Sequence, residues 1–230
     1  MWLSPGVWQG KDICETNRVL ILGESHYGDE NNTDEKIGQI CPYDTKDVVK
    51  EYIRHKTPGN EKAHWDRFFD RVARCFGYPS GKEGLFFEKV WFGNYVPVLC
   101  SIAGDNPAEY FMNNNRTEYN NDLFNFVNDN QIDTIVCFSK TVYYNLPQKN
   151  DIVEEECRSI ELPKLGGRRN PLEVYQYFAE VTHGYCDVTL NKPLMIYGVR
   201  HPSAQGGFKA EHVANVFAYE DTFSKIYYKG

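Results

Sequence analysis

The sequence contains no apolar run of about 18 residues, the length that a membrane-spanning helix needs. Its N-terminus has no charged segment followed by an apolar stretch, so no secretory signal is indicated. The seven cysteines are scattered and never form a C-x-x-C pair, which argues against a disulfide framework and a zinc site. We therefore expect a cytoplasmic protein that binds no membrane and uses no metal or other cofactor.

Basic residues are fewer than acidic residues. The chain has 25 Lys and Arg residues against 32 Asp and Glu residues, a formal net charge of -7. An acidic surface repels the phosphate backbone of nucleic acids, so a protein that coats DNA is disfavoured. A local basic surface is still compatible with this composition, because basic residues gather in the last third of the chain. We expect four of them to lie on the pocket side and face a phosphate backbone: Arg168, Arg169, Arg200 and Lys209.

The chain also lacks internal repeats, low-complexity tracts and long charged linkers. Nothing therefore divides it into separate folding units. Its 230 residues suit one domain with a full hydrophobic core. We expect residues 1–230 to form a single domain that is monomeric.

Short apolar runs alternate with segments of helical spacing. The runs cover residues 18–22, 90–92, 134–138 and 194–199, and the helical segments cover residues 45–55, 61–76, 117–130 and 209–228. Continuous apolar runs are typical of strands buried on both faces, and intervening helices cover those faces. The pattern predicts an α/β fold, a three-layer αβα sandwich with a central, mainly parallel, four-stranded sheet. Residues 156–162 and 173–179 form either a further hairpin or an edge insertion around Gly166-Gly167.

Polar side chains follow three of these runs. The first run ends in Gly23-Glu24-Ser25-His26-Tyr27, Asn94 follows the second, and His201-Pro202-Ser203 follows the last. Ligands bind beyond the carboxyl ends of parallel strands, so we expect the three segments to line one pocket. The Asn94 amide offers a donor and an acceptor, which suit a planar ligand such as a pyrimidine edge.

Each segment also has a plainer interpretation. Glu24 is equally typical of a capping or solvated residue on a Gly-flanked turn, and Asn94 of a turn residue that holds its own backbone. A lone histidine is usually structural. The hypothesis of a shared site depends on all three segments following strands of one sheet.

The order of these segments resembles the uracil-DNA glycosylase superfamily, especially its bacterial branch, whose first motif reads G-E-A-P-G. Gly23 and Glu24 match that opening. The other resemblances are residues 90–94, like the second strand with its base-reading Asn; residues 106–109, like the following Asn-Pro-Glu pattern; residues 135–140, like the third strand; and residues 201–204, like the final His-Pro-Ser motif.

The resemblance implies a uracil-DNA glycosylase-like fold and DNA, single- or double-stranded, or a free nucleobase as partner. In that family a flipped base enters the pocket. Asn94 is then expected to read its edge, and Tyr27 or Tyr43 to stack on it. The expected catalytic residues are His201, which donates to the departing base, and Glu24 or His26, which orients water. The other expected substrate contacts are Gly23, Ser25, Pro202 and Ser203.

The chain also departs from the family pattern. Ser25 stands where the best-known branch has an Asp, and His26 replaces a Pro. Residues 205–207 read Gln-Gly-Gly where an intercalating Leu is expected. The scattered cysteines do not suit the iron–sulfur cluster that the bacterial branch often carries, so none is expected.

Three hypotheses follow from the sequence. The first is a glycosylase that hydrolyses the N-glycosidic bond of a uracil-like or deaminated base in DNA, as in base-excision repair. The second is a non-catalytic module that binds a nucleobase or nucleic acid. The third is a hydrolase with Ser25 as nucleophile and His201 as base, although the G-x-S-x-G pattern of many hydrolases fails at Tyr27.

Overall fold

The computed structural model describes residues 6–27, 38–39, 44–57, 59–100, 107–147, 157–203 and 207–230. The strands within these ranges are β1 (Trp8–Gln9), β2 (Val19–Gly23), β3 (His26–Tyr27), β4 (Trp91–Asn94), β5 (Leu99–Cys100), β6 (Thr134–Cys137), β7 (Arg158–Leu165), β8 (Arg168–Tyr177) and β9 (Leu194–Gly198). The helices are α1 (Asp44–His55), α2 (Asp66–Cys75), α3 (Gly84–Phe87), α4 (Pro107–Asn130), α5 (Lys140–Asn145) and α6 (Ala210–Phe217). A 3-10 turn covers Asp221–Phe223.

The four predicted apolar runs form four adjacent parallel strands, in the order β4, β2, β6, β9. The α/β class is therefore confirmed. The expected size of the sheet was wrong, since the described residues form a seven-stranded mixed sheet in the order β1-β4-β2-β6-β9-β8-β7. The antiparallel strand β1 has only two residues, and β7 is largely exposed, so neither carries the continuous apolar run that marks a doubly buried strand.

The sheet separates two hydrophobic cores, because successive strand residues point to opposite faces. In β2, Leu20 and Leu22 join the core formed with α4 and α5, whereas Val19 and Ile21 join the core formed with α1, α2, α3 and α6. All four side chains are at most 1% exposed. Helices thus cover both faces of the sheet.

The segment between residues 157 and 177 is a hairpin, one of the two alternatives that the sequence left open. β7 and β8 pair antiparallel across the Gly166-Gly167 turn, and β8 pairs antiparallel with β9. Glu173 lies opposite Gly198, the last residue of β9, so the five residues from Arg168 to Leu172 continue past the carboxyl end of β9. At about 3.3 Å per residue this extension reaches roughly 16 Å beyond the sheet edge.

The helices differ from the predicted segments chiefly at their ends. α4 begins ten residues earlier than the predicted 117, and it contains a kink at Asn115 with φ -125° and ψ 21°. The C-terminal segment is a short helix and a 3-10 turn rather than one helix. Within the described residues, no helix is both long enough and apolar enough to cross a membrane.

Candidate functional site

The segment after β2 is held by backbone pairing at the carboxyl edge of the sheet. The N–H groups of Tyr95 and Val96 donate to the carbonyl oxygens of Gly23 and Glu24 at 3.1 and 2.9 Å. The chain then pairs again, as β3 lies parallel to β5 with His26 opposite Leu99. Backbone hydrogen bonds before and after Ser25 therefore fix the path of the chain from Gly23 to His26.

Asn94 is the last residue of β4 and lies beside Gly23, the last residue of β2. Its backbone is in register with Gly23, and a β-carbon on Gly23 would lie 2.3 Å from Asn94 Oδ1. The Asn94 Nδ2 atom lies 3.3 Å from His26 Nε2, and Thr45 Oγ1 lies 2.6 Å from that same ring nitrogen. The Asn94 amide is thus held between the α-carbon of Gly23 and the imidazole of His26.

Glu24 is the carboxylate at the centre of this edge. The Ser139 hydroxyl donates a hydrogen bond of 2.6 Å to Glu24 Oε2 and accepts one of 3.2 Å from the Val142 N–H, which caps α5. The Glu24 charge also acts on two buried thiols, at the last residues of β5 and β6. Burial raises the pKa of Cys100 to about 11 and that of Cys137 to about 12, and in both cases Glu24 adds to the rise.

His201 lies close enough to Glu24 for their charges to interact. Burial lowers the pKa of His201 below its ordinary value of 6.5, and the Glu24 carboxylate opposes that shift. The imidazole is therefore neutral at pH 7. Its Nδ1 accepts a 3.1 Å hydrogen bond from the Ser203 N–H, which leaves the proton of the neutral ring on Nε2. His201 is thus a neutral hydrogen-bond donor.

Helix α2 braces the His201 loop. The Phe68 ring lies 5.3 Å from the His201 ring at an angle of 33°. Arg71 Nη1 donates to the carbonyl oxygen of Pro202 at 2.5 Å. Pro202 is buried and Ser203 is exposed. The loop therefore has a fixed path past the end of β9.

The Ser25 hydroxyl is not arranged as a nucleophile. Its oxygen is buried and faces the thiol of Cys100, whose pKa a hydrogen bond with Ser25 lowers, and it has no other hydrogen-bond partner within the described part of the chain. A serine nucleophile needs a hydrogen bond to its base. The described geometry places no histidine in that position.

The remaining predicted site residues are placed unevenly. Tyr43 lies outside the described residues, as do residues 205 and 206, and only the backbones of Tyr27 and Arg168 are described. Arg169 is exposed on the hairpin extension and pairs with Glu161. Arg200 directly precedes His201, and the exposed Lys209 precedes α6.

Sequence reasoning missed the side chains that support the site. Ser139 follows β6, so the strand-end rule that selected Glu24 and Asn94 also applied to it. Thr45, Phe68 and Arg71 belong to helices, and only the docking of those helices brings them to the strand ends. A half-buried cation was also missed: Lys140 donates to Glu173 at 2.8 Å, and burial lowers its pKa.

An open depression lies elsewhere on the surface, lined by residues 113–118 and Tyr185. It includes none of the predicted site residues. Arg116, in the lining of this depression, has a structural role. Its guanidinium donates to the carbonyl oxygens of Tyr144, Asn145 and Leu146 at the end of α5. Across the described ranges, no group of three or more His, Cys, Asp or Glu residues could hold a metal ion.

Comparisons with known proteins leave the family open. No family model, curated protein or solved structure matches the chain.

Proposed function

We propose that this protein hydrolyses the N-glycosidic bond of a uracil-like or deaminated base in DNA, with a uracil-DNA glycosylase-like α/β domain. The observation that carries the proposal is that the Glu24 carboxylate and the His201 imidazole, held by hydrogen bonds from Ser139 and Ser203, lie beyond the strand ends and close enough for their charges to interact. The carboxylate suits a positive charge or a water molecule, and the imidazole N–H suits a developing anion. Breaking an N-glycosidic bond requires both.

His201 acts on the leaving base. As the bond breaks, negative charge grows on the base, and the Nε2–H of His201 donates a hydrogen bond to it. A preorganised donor of this kind contributes roughly 3 kcal/mol to transition-state stabilisation. The Ser203 N–H supports this role, because its hydrogen bond to Nδ1 keeps the proton on Nε2.

Glu24 acts on the sugar side. The departing base leaves a sugar with oxocarbenium character, which a carboxylate stabilises, and the same group orients the attacking water. The Ser139 hydroxyl holds one carboxylate oxygen at 2.6 Å and so limits the orientations open to Glu24. We assign the orientation of the attacking water to this carboxylate.

Asn94 and Phe68 recognise the base. The amide of Asn94 offers the paired donor and acceptor that a base edge needs. The Phe68 ring beside His201 adds an aromatic wall that the sequence did not suggest. Stacking on such rings stabilises bound bases by roughly 1–3 kcal/mol each.

Excision assays test the proposal. Oligonucleotides with one uracil, hypoxanthine or xanthine, single- or double-stranded, are incubated with the protein and cleaved with alkali at abasic sites. We expect release of at least one base. His201→Ala should lower the rate by about 10²–10³, and Glu24→Gln by about 10²–10⁴. Ser25→Ala should retain most of the activity.

The exposed His64 provides a matched control, since His64→Ala removes an imidazole outside the site. Base release that is unaffected by His201→Ala would contradict the assigned mechanism. Binding of base-containing oligonucleotides without any release, beside an active reference glycosylase, would instead support a binding module. Ester cleavage abolished by Ser25→Ala would establish the hydrolase hypothesis.

A further inference from the structure

Lys140 is a half-buried lysine at the carboxyl edge of the sheet, outside the groups assigned above. It is the first residue of α5 and directly follows Ser139, whose hydroxyl donates to the Glu24 carboxylate. Its side chain is 22% exposed, so it is largely covered by protein and still open to solvent. An amine therefore lies next in the chain to the residue that orients the sugar-side carboxylate.

The amine lies over the end of β9. Its Nζ donates to Glu173 Oε2 at 2.8 Å and lies 4.9 Å from the centre of the Tyr143 ring. Lys140 follows β6 and Glu173 belongs to β8, and β9 lies between these two strands. Glu173 is in register with Gly198, the last residue of β9, and β9 leads on to His201. The ion pair and His201 therefore adjoin the same strand end.

Burial makes the positive charge of Lys140 less favourable. Desolvation lowers the pKa of Lys140 from its ordinary value of 10.5, and Glu173 and the Cys137 thiol oppose that shift. A desolvated lysine gives up its proton more readily, and the neutral amine is the form that acts as a nucleophile. The adjacent Glu173 carboxylate can accept that proton. The surroundings of Lys140 thus provide both a nucleophile and its base.

The proposed reaction produces a carbonyl group on which this amine can act. Loss of a base from DNA leaves a deoxyribose whose C1′ hemiacetal is in equilibrium with an open-chain aldehyde. Lysine amines condense with such carbonyl groups to form Schiff bases. We propose that Lys140 forms a Schiff base with the C1′ aldehyde of an abasic site and cleaves the DNA strand on the 3′ side of that site. This activity goes beyond base release, and it rests on the proposed function for the supply of its substrate.

The formation of the Schiff base balances with Glu173 as the proton carrier. Glu173 takes a proton from the Lys140 ammonium, and the neutral amine adds to C1′ to give a carbinolamine. Glu173 then returns the proton to the carbinolamine hydroxyl, which departs as water. The products are an iminium between Lys140 and C1′ and a free Glu173 carboxylate.

Strand cleavage follows as a β-elimination. The Glu173 carboxylate removes a proton from C2′, which converts the iminium to an enamine. The enamine electron pair then expels the 3′ phosphate as the C3′–O bond breaks. Water hydrolyses the remaining iminium, which restores the Lys140 ammonium and leaves an unsaturated aldehyde on the cleaved strand, and Glu173 loses its proton to solvent. No oxidant or reductant is needed.

Borohydride trapping tests the Schiff base independently of base release. Oligonucleotides with one preformed abasic site, single- or double-stranded, are incubated with wild type, Lys140→Arg and Lys192→Arg in the presence of sodium borohydride, and covalent complexes are resolved on denaturing gels. Wild type and Lys192→Arg should form the complex, and Lys140→Arg should not. A strand with tetrahydrofuran in place of the abasic sugar has no aldehyde and should give no complex.

Lys192 is the matched control because it also pairs with a carboxylate. Its Nζ donates to Asp133 Oδ1 at 2.6 Å, next to the amino end of β6 and away from the carboxyl edge. Lys140→Arg keeps the positive charge beside Glu173 and removes the nucleophile, so a purely structural ion pair would survive this change. Thermal unfolding of the variants identifies any loss of fold.

Strand cleavage without alkali measures the elimination. Wild type should cleave the abasic strand, and Glu173→Gln should lower that rate by about 10²–10⁴. Peptide mapping of the reduced complex should place the deoxyribose on Lys140. An adduct on another amine, or no adduct beside a reference lyase that is trapped, would overturn the inference.

The two proposals fail in different ways. A protein that is trapped through Lys140 on abasic strands but releases no base from uracil, hypoxanthine or xanthine strands disproves base release and leaves the abasic-site activity intact. A protein that releases a base but is not trapped on abasic strands disproves the role of Lys140 alone.

Discussion

Gly23 ends β2 beneath the side chain of Asn94, where only a hydrogen atom fits. Gly23→Ala places a β-carbon 2.3 Å from Asn94 Oδ1, so the amide must leave its position against His26. We expect a loss of about 1–3 kcal/mol in the free energy of unfolding, typical of overpacking, together with loss of base binding. Chemical denaturation and oligonucleotide titration measure the two effects.

Gly84 offers the matched control for that substitution. A β-carbon there would lie 3.4 Å from the Lys56 side chain, an ordinary contact. Gly84→Ala should leave base binding unchanged and the stability equal or slightly higher. If Gly23→Ala bound the base as wild type does, the Asn94 amide would not be the reading group.

His201 gives the stability a pH dependence whose sign is set by burial. The imidazole of the unfolded chain takes up a proton near pH 6.5, whereas the folded one does so at lower pH. Between these values the unfolded chain binds more protons, so this contribution to stability is complete above pH 6.5 and is lost as the pH falls. Denaturation from pH 7.5 to 5 should show a smaller decline for His201→Gln than for wild type. An equal decline in both proteins would mean that His201 titrates normally.

The strand-end rule selected the candidate site residues, because it depends only on chain direction. Glu24, Asn94 and His201 each follow an apolar run, and parallel strands bring such positions to one edge. Thr45 and Phe68 carry no comparable signal. Each is an ordinary helix residue in the sequence, and the packing of α1 and α2 against the sheet decides what it contacts.

At the scale of elements, the β7–β8 hairpin shows what the sequence leaves open. Its glycine turn is visible in the sequence, since Gly166 and Gly167 both adopt positive φ angles, 55° and 74°. Its register against β9 is a tertiary property. That register carries Lys164 and Arg169 beyond the carboxyl edge, where residues 160–172 include three basic residues and one acidic residue.

The hairpin is therefore the element on which nucleic-acid affinity should depend. We expect Lys164→Glu and Arg169→Glu each to weaken oligonucleotide binding and to reduce the slope of log affinity against log salt by roughly 1. Anisotropy titrations at several salt concentrations measure that slope. Lys225→Glu is the control. Lys225 is exposed, and its charge lowers the pKa of Cys14, which lies in the segment before the amino end of β2. Lys225 is therefore on the side of the amino end of this strand, whereas the hairpin extends past the carboxyl edge. Equal effects from all three variants would exclude a specific role for the hairpin.

At the scale of the whole molecule, the four parallel strands were predictable and the full sheet was not. Residues 19–22 and 134–137 are apolar or buried at every position, because helices cover both faces of the sheet there. The outer strand β7 lacks such a continuous buried run. β7 has only two buried residues among its eight, so composition alone does not separate it from a surface loop.

The position of β2 between β4 and β6 has a kinetic consequence. Its backbone is hydrogen-bonded to both neighbours, and its side chains at positions 19–22 are at most 1% exposed. Amide hydrogens in such a strand exchange with solvent only when the whole domain unfolds. Glu24 directly follows this strand, so the backbone that carries the carboxylate stays in place as long as the domain is folded. Any closure around a substrate must then come from segments that approach Glu24, and not from movement of the strand that carries it.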